Sequence, residues 1–479
     1  RYGTTTHTLL NHGARLTGRS VVWYSAWDGI RSIDYLLSRP EVDRSKPVGM
    51  TGTSGGGTQT TFLMALDDRI GPAAPSCYTM QRTDKFHGKS GPADGCQHLA
   101  GEGLHGIDHI DYSLMRFPRP TAILAATQDF FEIDSTRETV RDAKAVFGAL
   151  GQADRFAFFE ADTTHGMHVG HRQEATRWMR QWLYNDSSPV TEPKEILLFT
   201  DAELQVTPTG QVHNDFPDEA NVADISLRLA NRLETKRRHF WASNPAKALA
   251  KVRKLIGLPE NLPQPRVERG GQDQTNWARI DKFTLQRTGD MPVPALLFRP
   301  PGNTSHALDV VVYADDRGMR NAAHANGPIR KLVNKSTAVF AVDLRGLGET
   351  RDQGSNTKYH SHSHRVGNVA THIGQPLLGQ RVRDLLSVVD YLNQVGSERV
   401  RSIRVIGVGS AGPVALHAAA LDARISKVEL RNPAVNSWVD DAVAQPLRRE
   451  MVDHVVPGAL AWYDLPDLAR QLGARLRTR

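Results

Sequence analysis

Cysteine is scarce in this chain: its 479 residues include only Cys77 and Cys96. Two thiols cannot build a disulfide framework, and neither belongs to a CxxC pair, so a zinc module of that type is excluded. Both lie in one loop-rich region, which leaves room for a single disulfide. Long apolar runs are missing as well. The longest candidates, such as the run around Val310–Tyr313, are strand-sized and far short of the roughly 20 residues of a membrane-spanning helix. The opening RYGTTTHTLL has neither a charged n-region nor an apolar h-region, so no signal peptide is visible in it. Charge of one sign is not concentrated either. The formal net charge is +7, yet lysine and arginine are scattered apart from Lys236–Arg238 and the Arg-rich stretch Ala474–Arg479. No basic stripe alternates with aromatics, so nucleic acid is not an expected partner.

What is present is a repeating alternation. AWDGIRSIDYLL (26–37) carries Ile30, Ile33 and Leu37 at helical spacing. A short strand, VGMTG, then runs into SGGG, and TQTTFLMAL resumes as a helix. Residues 71–118 read as irregular. PTAILAAT (120–127) and RFAFFEA (155–161) read as buried strands. The first is followed by a helix with a Ser135/Glu138 capping box and a Gly151 stop, the second by one with Ala175, Trp178, Met179 and Trp182 on one face. Strands alternating with helices predict a parallel sheet covered on both faces.

Residues 185–276 differ: a linker-like opening, a small hairpin expected in LLFTDAELQVTPTGQV, and charged helices over 219–256. From about Trp277 the alternation returns, with strands expected in LDVVVYA, STAVFAVDL and SIRVIGV. VDYLNQVGSERVRSIRVIGVGSAGPVALHAAALDARI echoes IDYLLSRPEVDRSKPVGMTGTSGGGTQTTFLMALDDRI, so a duplicated α/β unit is the simplest account. The length fits this. The expected division is 1–184, a connector over 185–276, and 277–479.

Gly52-Thr53-Ser54-Gly55-Gly56 matches G-x-S-x-G at a strand–turn–helix junction. There a serine stands proud of the sheet edge, and the N–H of Gly55 is aimed at a developing oxyanion. Serine needs a base, and the base an acid, in the order Ser, acid, His. AATQDFFEID supplies Asp129 directly after a strand, with Glu132 and Asp134 nearby. Asp134 suits a helix N-terminus better. EADTTHGMHVGH supplies His165, with His168 and His171 as alternatives.

These motifs resemble a known family. WDGIRSIDYLLSRPEVD, GTSGGGTQTTFLMALDDRI, GIDHIDY, RPTAILAATQDFF and THG in residues 1–184 are similar to the catalytic domain of α/β-hydrolases of the acetyl xylan esterase-like and prolyl oligopeptidase-like type. AVDLRGLGE and VVPGALAWYDLPDLA in 277–470 resemble the second hydrolase-like domain of such tandem proteins. The resemblance implies Ser54 as nucleophile, Asp129 as acid and His165 as base. It also implies an acylated carbohydrate such as acetylated xylan as substrate, no metal or organic cofactor, and secretion or a periplasmic location. Both domains read as incomplete. The first lacks, at its N-terminal side, the strands that carry a second oxyanion donor; the second lacks, at its C-terminal side, those that would carry an acid and a His. Its elbow reads Val408-Gly409-Ser410-Ala411-Gly412, with valine where glycine is wanted, so Ser410 is a relic in a non-catalytic domain expected to pack against the first or help shape its cleft.

Two histidine-rich stretches compete for a metal role. LHGIDHID holds His105, Asp108, His109 and Asp111, where a structural or substrate-lining role for Asp108 and His109 is preferred over metal. HSHSH (360–364) reads as a solvated loop. The expectation is a serine esterase of α/β fold acting on a small-molecule or polysaccharide ester. A serine peptidase of prolyl oligopeptidase type and a non-catalytic glycan-binding or scaffold protein are the alternatives.

Overall fold

The computed structural model describes residues 3–87, 94–97, 99–302, 307–351, 363–396 and 399–479. The chain divides into two compact units: residues 1–8 with 20–224, and 9–19 with 225–479. Helix α1 (Gly3–Leu16) is divided between them.

Unit 1 runs α2 (Val21–Ser38), β1 (Val48–Thr53), α3 (Gly55–Leu66), β2 (Ile70–Ser76), α4 (Arg82–His87), α5 (His109–Leu114), β3 (Thr121–Gln128), α6 (Ile133–Ala149), β4 (Phe156–Thr164) and α7 (Val169–Tyr184). The four strands are all parallel, in the order β1-β2-β3-β4. Alternating strand residues face opposite helices. Ala73 packs with Ile33, Phe62 and Leu63 of α2 and α3, and Ile123 with Val140 and Phe147 of α6. Ala74, Ala122 and Leu124 pack with Trp178 of α7. The result is a helix–sheet–helix sandwich.

Three local expectations are corrected. The irregular stretch after residue 70 contains β2, a central strand despite Pro72 and Pro75. Pro75 lies between Ala73 and Cys77, whose N–H groups bond Pro120 and Leu124 carbonyls at 3.0 and 2.9 Å, so one rung is forfeited and the flanking rungs hold the strand. The Ser135/Glu138 capping box does not form, because α6 begins earlier, at Ile133. Ser135 Oγ instead accepts from the Gln81 N–H at 3.0 Å, and Glu138 accepts from Gln81 Nε2 at 3.0 Å. The expected hairpin is two helical turns, α8 (Asp201–Leu204) and α9 (Val212–Asp215). Thr200 and Glu203 form a reciprocal capping box there, which commits the backbone to a turn of helix.

Unit 2 runs α10 (Val222–Ser243), α11 (Pro245–Leu255), β5 (Arg266–Gln274), β6 (Arg279–Gln286), β7 (Val293–Arg299), β8 (Leu308–Asp315), α12 (Met319–Ala322), α13 (Pro328–Leu332), β9 (Thr337–Val342), α14 (His364–His372), α15 (Leu377–Val395), β10 (Val400–Val408), α16 (Ala411–Leu421), β11 (Ile425–Arg431), α17 (Leu465–Leu472) and β12 (Leu476–Thr478). Its sheet has the order β12-β11-β10-β8-β9-β7-β6-β5. The pairs β5–β6, β6–β7 and β7–β9 are antiparallel and the rest parallel. Ala230 of α10 and Val252 of α11 lie in its core. No helix among the described residues is long and apolar enough to cross a membrane.

The repeat is visible as chemistry. Arg69 Nε reaches Asp67 at 2.9 Å, and its guanidinium pairs with Asp34 of the preceding helix. In unit 2, Arg424 Nε reaches Asp422 at 2.9 Å, and its guanidinium pairs with Asp390 at 2.6 Å. Both arginines tie the end of the elbow helix to the helix before the elbow strand.

Candidate active site

Ser54 ends β1 in a conformation most side chains avoid, with φ 57° and ψ −116°. Its N–H still bonds the Ser76 carbonyl at 3.0 Å, and its C=O starts α3 by accepting from Thr58 at 2.8 Å. One residue thus closes the strand and opens the helix. The close approach needs specific glycines. A Cβ on Gly52 would stand 2.7 Å from the Gly56 carbonyl, and one on Gly57 would stand 2.4 Å from the Ser76 oxygen. A Cβ on Gly55 or Gly56 would meet nothing within 4 Å. The sterically required pair is therefore Gly52 and Gly57, and Gly57 lies outside the five-residue motif.

The parallel sheet brings all its strand C-termini to one edge. Ser54 follows β1, Cys77 follows β2, Asp129 follows β3 and His165 follows β4. His165 Nδ1 lies 2.9 Å from both Asp129 carboxylate oxygens. The Asp129 side chain is 1% exposed and the His165 side chain 25%. Burial works to raise the Asp129 pKa, but hydrogen bonds from His165, the Phe131 N–H and the Cys77 thiol outweigh it and hold the carboxyl below the usual range. An anionic acceptor there makes Nδ1 the protonated nitrogen and leaves the Nε2 lone pair available. Ser54 and His165 share no hydrogen bond in this structure. The loop that carries His165 folds back across β3: the Gly166 carbonyl sits 3.8 Å from Cys77 Sγ at the end of β2.

The other candidates have structural duties. His168 caps α7, and its Nε2 meets the Thr164 carbonyl at 3.0 Å. His171 is fully buried, with Nε2 on the Ala125 carbonyl at 2.9 Å. Asp134 is exposed and pairs with Arg137 at 2.9 Å, and Glu132 is the N-cap residue of α6. Asp108 and His109, read as substrate-lining, belong to the scaffold. Asp108 caps α5 and accepts from the Arg82 N–H at 3.0 Å. His109 is 0% exposed, stacks on Tyr78 at 4.5 Å and accepts the Met80 N–H at 3.1 Å, so its ring is withheld from any substrate. His105 ends a short 3-10 turn, and Asp111 closes the α5 capping box. Of the HSHSH run, residues 360–362 lie outside the described residues. The single disulfide does not form: Cys77 and Cys96 are both free thiols, and Cys96 Sγ faces His7 Nδ1 at 3.1 Å.

Sequence reasoning missed three residues here. The Phe130 ring, 44% exposed, lies 4.3 Å from the His165 ring and gives the site an aromatic wall. Cys77 is 2% exposed and holds φ 51°. Lys85 is 1% exposed, with Nζ 4.1 Å from the centre of the Phe131 ring. Burial, reinforced by Arg82, pushes Lys85 down to about 7, against the pull of Asp94 and Asp129. An unfolded lysine titrates near about 10.4. Between these values the unfolded chain holds a proton that the folded chain lacks, so this term makes stability rise with pH; its cost is full below about 7 and gone above about 10.4. Lys85→Met is therefore expected to raise the melting temperature of unit 1 at about pH 6 and to lose most of that gain near about pH 10. Calorimetry at the two pH values checks it, and an equal shift at both would contradict the assignment.

Unit 2 carries the same turn, one residue out of the expected register. There φ 57° belongs to Gly409, whose N–H bonds the Arg431 carbonyl at 3.1 Å as Ser54 bonds Ser76. Gly407 matches Gly52, since a Cβ on it would stand 2.5 Å from the Ala411 carbonyl. The nucleophile position is thus glycine, and Ser410 stands where Gly55 stands in unit 1. The Ser410 N–H donates to Asp316 Oδ2 at 2.9 Å, so a carboxylate fills the space an oxyanion would take. A Cβ on Gly409 would lie 1.9 Å from that oxygen. The sequence held this signal: counting back from Asp67-Asp68-Arg69-Ile70 and from Asp422-Ala423-Arg424-Ile425 aligns Ser54 with Gly409.

No family model matches the chain. One curated relative, the Bacillus subtilis (strain 168) protein described as "Putative hydrolase YtaP", is 23% identical over 169 residues, 35% of this chain and 56% of its own length. The chain thus spans little more than half of that relative. Among solved structures, a Bacteroides fragilis protein described as "a putative acetyl xylan esterase" aligns with TM-score 0.41 and 14% identity, covering 57% of this chain and 74% of its own. An acetyl xylan esterase from Paenibacillus sp. R4 gives 0.32 and 16%, covering 48% and 85%. A glucuronoyl esterase from Solibacter usitatus gives 0.35 and 14%, covering 50% and 74%. The chain is an α/β protein in which two units each carry a strand–turn–helix elbow at the edge of a largely parallel run of strands.

Proposed function

We propose that unit 1 is a serine hydrolase of carboxylic esters. The observation that carries this reading is the Asp129–His165 pair, at 2.9 Å, on the same sheet edge as the strained Ser54 turn. In the reaction His165 Nε2 takes the Ser54 hydroxyl proton as Oγ attacks the ester carbonyl. The imidazolium is held by the Asp129 carboxylate. Negative charge on the former carbonyl oxygen is met by the Gly55 N–H at the N-terminus of α3, whose dipole favours it. Collapse of the tetrahedral intermediate breaks the ester C–O bond, and His165 returns the proton to the leaving alkoxide. Water, deprotonated by His165, then attacks the acyl-serine; the acyl–Oγ bond breaks, His165 returns the proton to Ser54 Oγ, and the acid leaves.

An acylated carbohydrate is the substrate class that the sequence resemblance supports, and the exposed Phe130 ring beside His165 suits a sugar face. The test is reaction with a fluorophosphonate probe and peptide mapping, alongside acetate release from acetylated xylan. Label on Ser54 with acetate release is the expected result. A folded chain that takes no label would overturn the hydrolase reading; label without acetate release would overturn only the substrate class. Because Gly409 holds the elbow of unit 2, Ser410→Ala is expected to leave the labelling rate within about twofold of wild type. A sharp loss in a folded variant would overturn the non-catalytic reading of unit 2.

A further inference from the structure

Behind the imidazole three kinds of metal-binding side chain meet. Cys77 Sγ, an Asp129 carboxylate oxygen and a His165 ring nitrogen all lie within 4.8 Å of one another. They come from the ends of three adjacent strands, β2, β3 and β4, so a rigid sheet edge holds their spacing. We propose that this triangle is a zinc-binding site, and that Zn2+ there switches off the hydrolase chemistry of unit 1. The switching part rests on the reading of His165 as the general base.

The geometry suits the ion. Tetrahedral zinc binds nitrogen and oxygen at about 2.0 Å and sulfur at about 2.3 Å, which sets its ligands roughly 3.3–3.5 Å apart. The Asp129–Nδ1 separation of 2.9 Å must open slightly, and the pairs with Cys77 Sγ, which lie within 4.8 Å, must close by at most about 1.3 Å, a shift within reach of side-chain rotation. One thiolate, one imidazole and one carboxylate leave a fourth position for water, and this donor set favours zinc over magnesium or calcium. The proton balance explains the inhibition. Zinc needs a thiolate, so the Cys77 proton leaves to solvent. It also needs the Nδ1 lone pair, so the imidazole proton moves to Nε2. Nε2–H is a donor and cannot accept the Ser54 proton. The net exchange is one Zn2+ taken up for one proton released.

The test uses the whole chain and two readouts. Co2+, a spectroscopic stand-in for zinc, is titrated first. A thiolate-to-cobalt charge-transfer band is expected in wild type and in Cys96→Ser, displaced by Zn2+ and absent in Cys77→Ser. Fluorophosphonate labelling is then measured with and without Zn2+, and each variant is compared with itself. Wild type is expected to slow at least about tenfold with zinc and to recover with EDTA, while Cys77→Ala needs at least about tenfold more zinc for the same slowing. Thermal melts confirm that the variants fold. A band that survives Cys77→Ser, no band at all, or equal zinc sensitivity in Cys77→Ala would overturn the site. A normal cobalt band in a chain that never labels, even without zinc, would support the site and overturn the hydrolase reading instead.

Discussion

Ser54→Ala is expected to abolish fluorophosphonate labelling and to lower ester turnover by about 10⁶-fold, with Asp129→Asn lowering turnover by about 10⁴-fold. The two losses differ in origin. Alanine removes the attacking oxygen while leaving the elbow intact, since the Ser54 backbone supplies the bonds to Ser76 and Thr58. Asparagine keeps the shape of Asp129 but offers an amide N–H toward His165 Nδ1, which favours the tautomer with its proton on Nε2 and removes the anion that steadies the imidazolium. The Phe131 N–H can still bond the amide oxygen, so the loop stays in place. Turnover and melting temperature measured together check the assignment. Label retained on Ser54→Ala, or Asp129→Asn at near wild-type rate, would remove the triad from this site.

Arg82→Met is expected to cost unit 1 about 3–5 kcal/mol of stability. Arg82 and Glu102 form an ion pair at 2.7 Å whose side chains are 3% and 2% exposed. Glu102 also accepts from the Tyr112 hydroxyl at 2.5 Å and the Leu99 N–H at 2.8 Å, and Arg82 donates to the Gln97 carbonyl at 3.1 Å. This cluster ties Gln97, Leu99 and Glu102 to α4 and α5. Methionine fills the space but removes the guanidinium that faces a buried carboxylate. At a few degrees per kcal/mol for a unit of this size, the unit 1 melting transition should fall by about 10 °C. Adding Glu102→Gln should return part of that loss by removing the buried negative charge that Arg82 faced. An unchanged transition in Arg82→Met would mean the pair is solvated and contributes little.

Much of this protein is legible along the chain. The alternation of apolar runs with helical spacing determined the α/β class, the echo of DDRI by DARI exposed the duplication, and the order Ser54, Asp129, His165 followed from local motifs at strand ends. Apolar burial acts residue by residue, so period and punctuation carry it. Tertiary structure alone decided the rest. β2 is a strand despite two prolines because neighbours on both sides supply its remaining rungs. That His165 meets Asp129 while His168 sits at the N-terminus of α7 and His171 is buried depends on a loop that folds back to the end of β2, a distance that sequence spacing does not encode. Asp108 and His109 went to the scaffold because packing buried one ring and backbone donors claimed the other side chain. Cys77 joined Asp129 and His165 only when parallel strands brought separate stretches to one edge, and Lys85 of α4 reached the Phe131 ring only through packing. Ser410 lost its place by one residue because positive φ falls where the strand ladder ends, and in unit 2 it ends at Gly409.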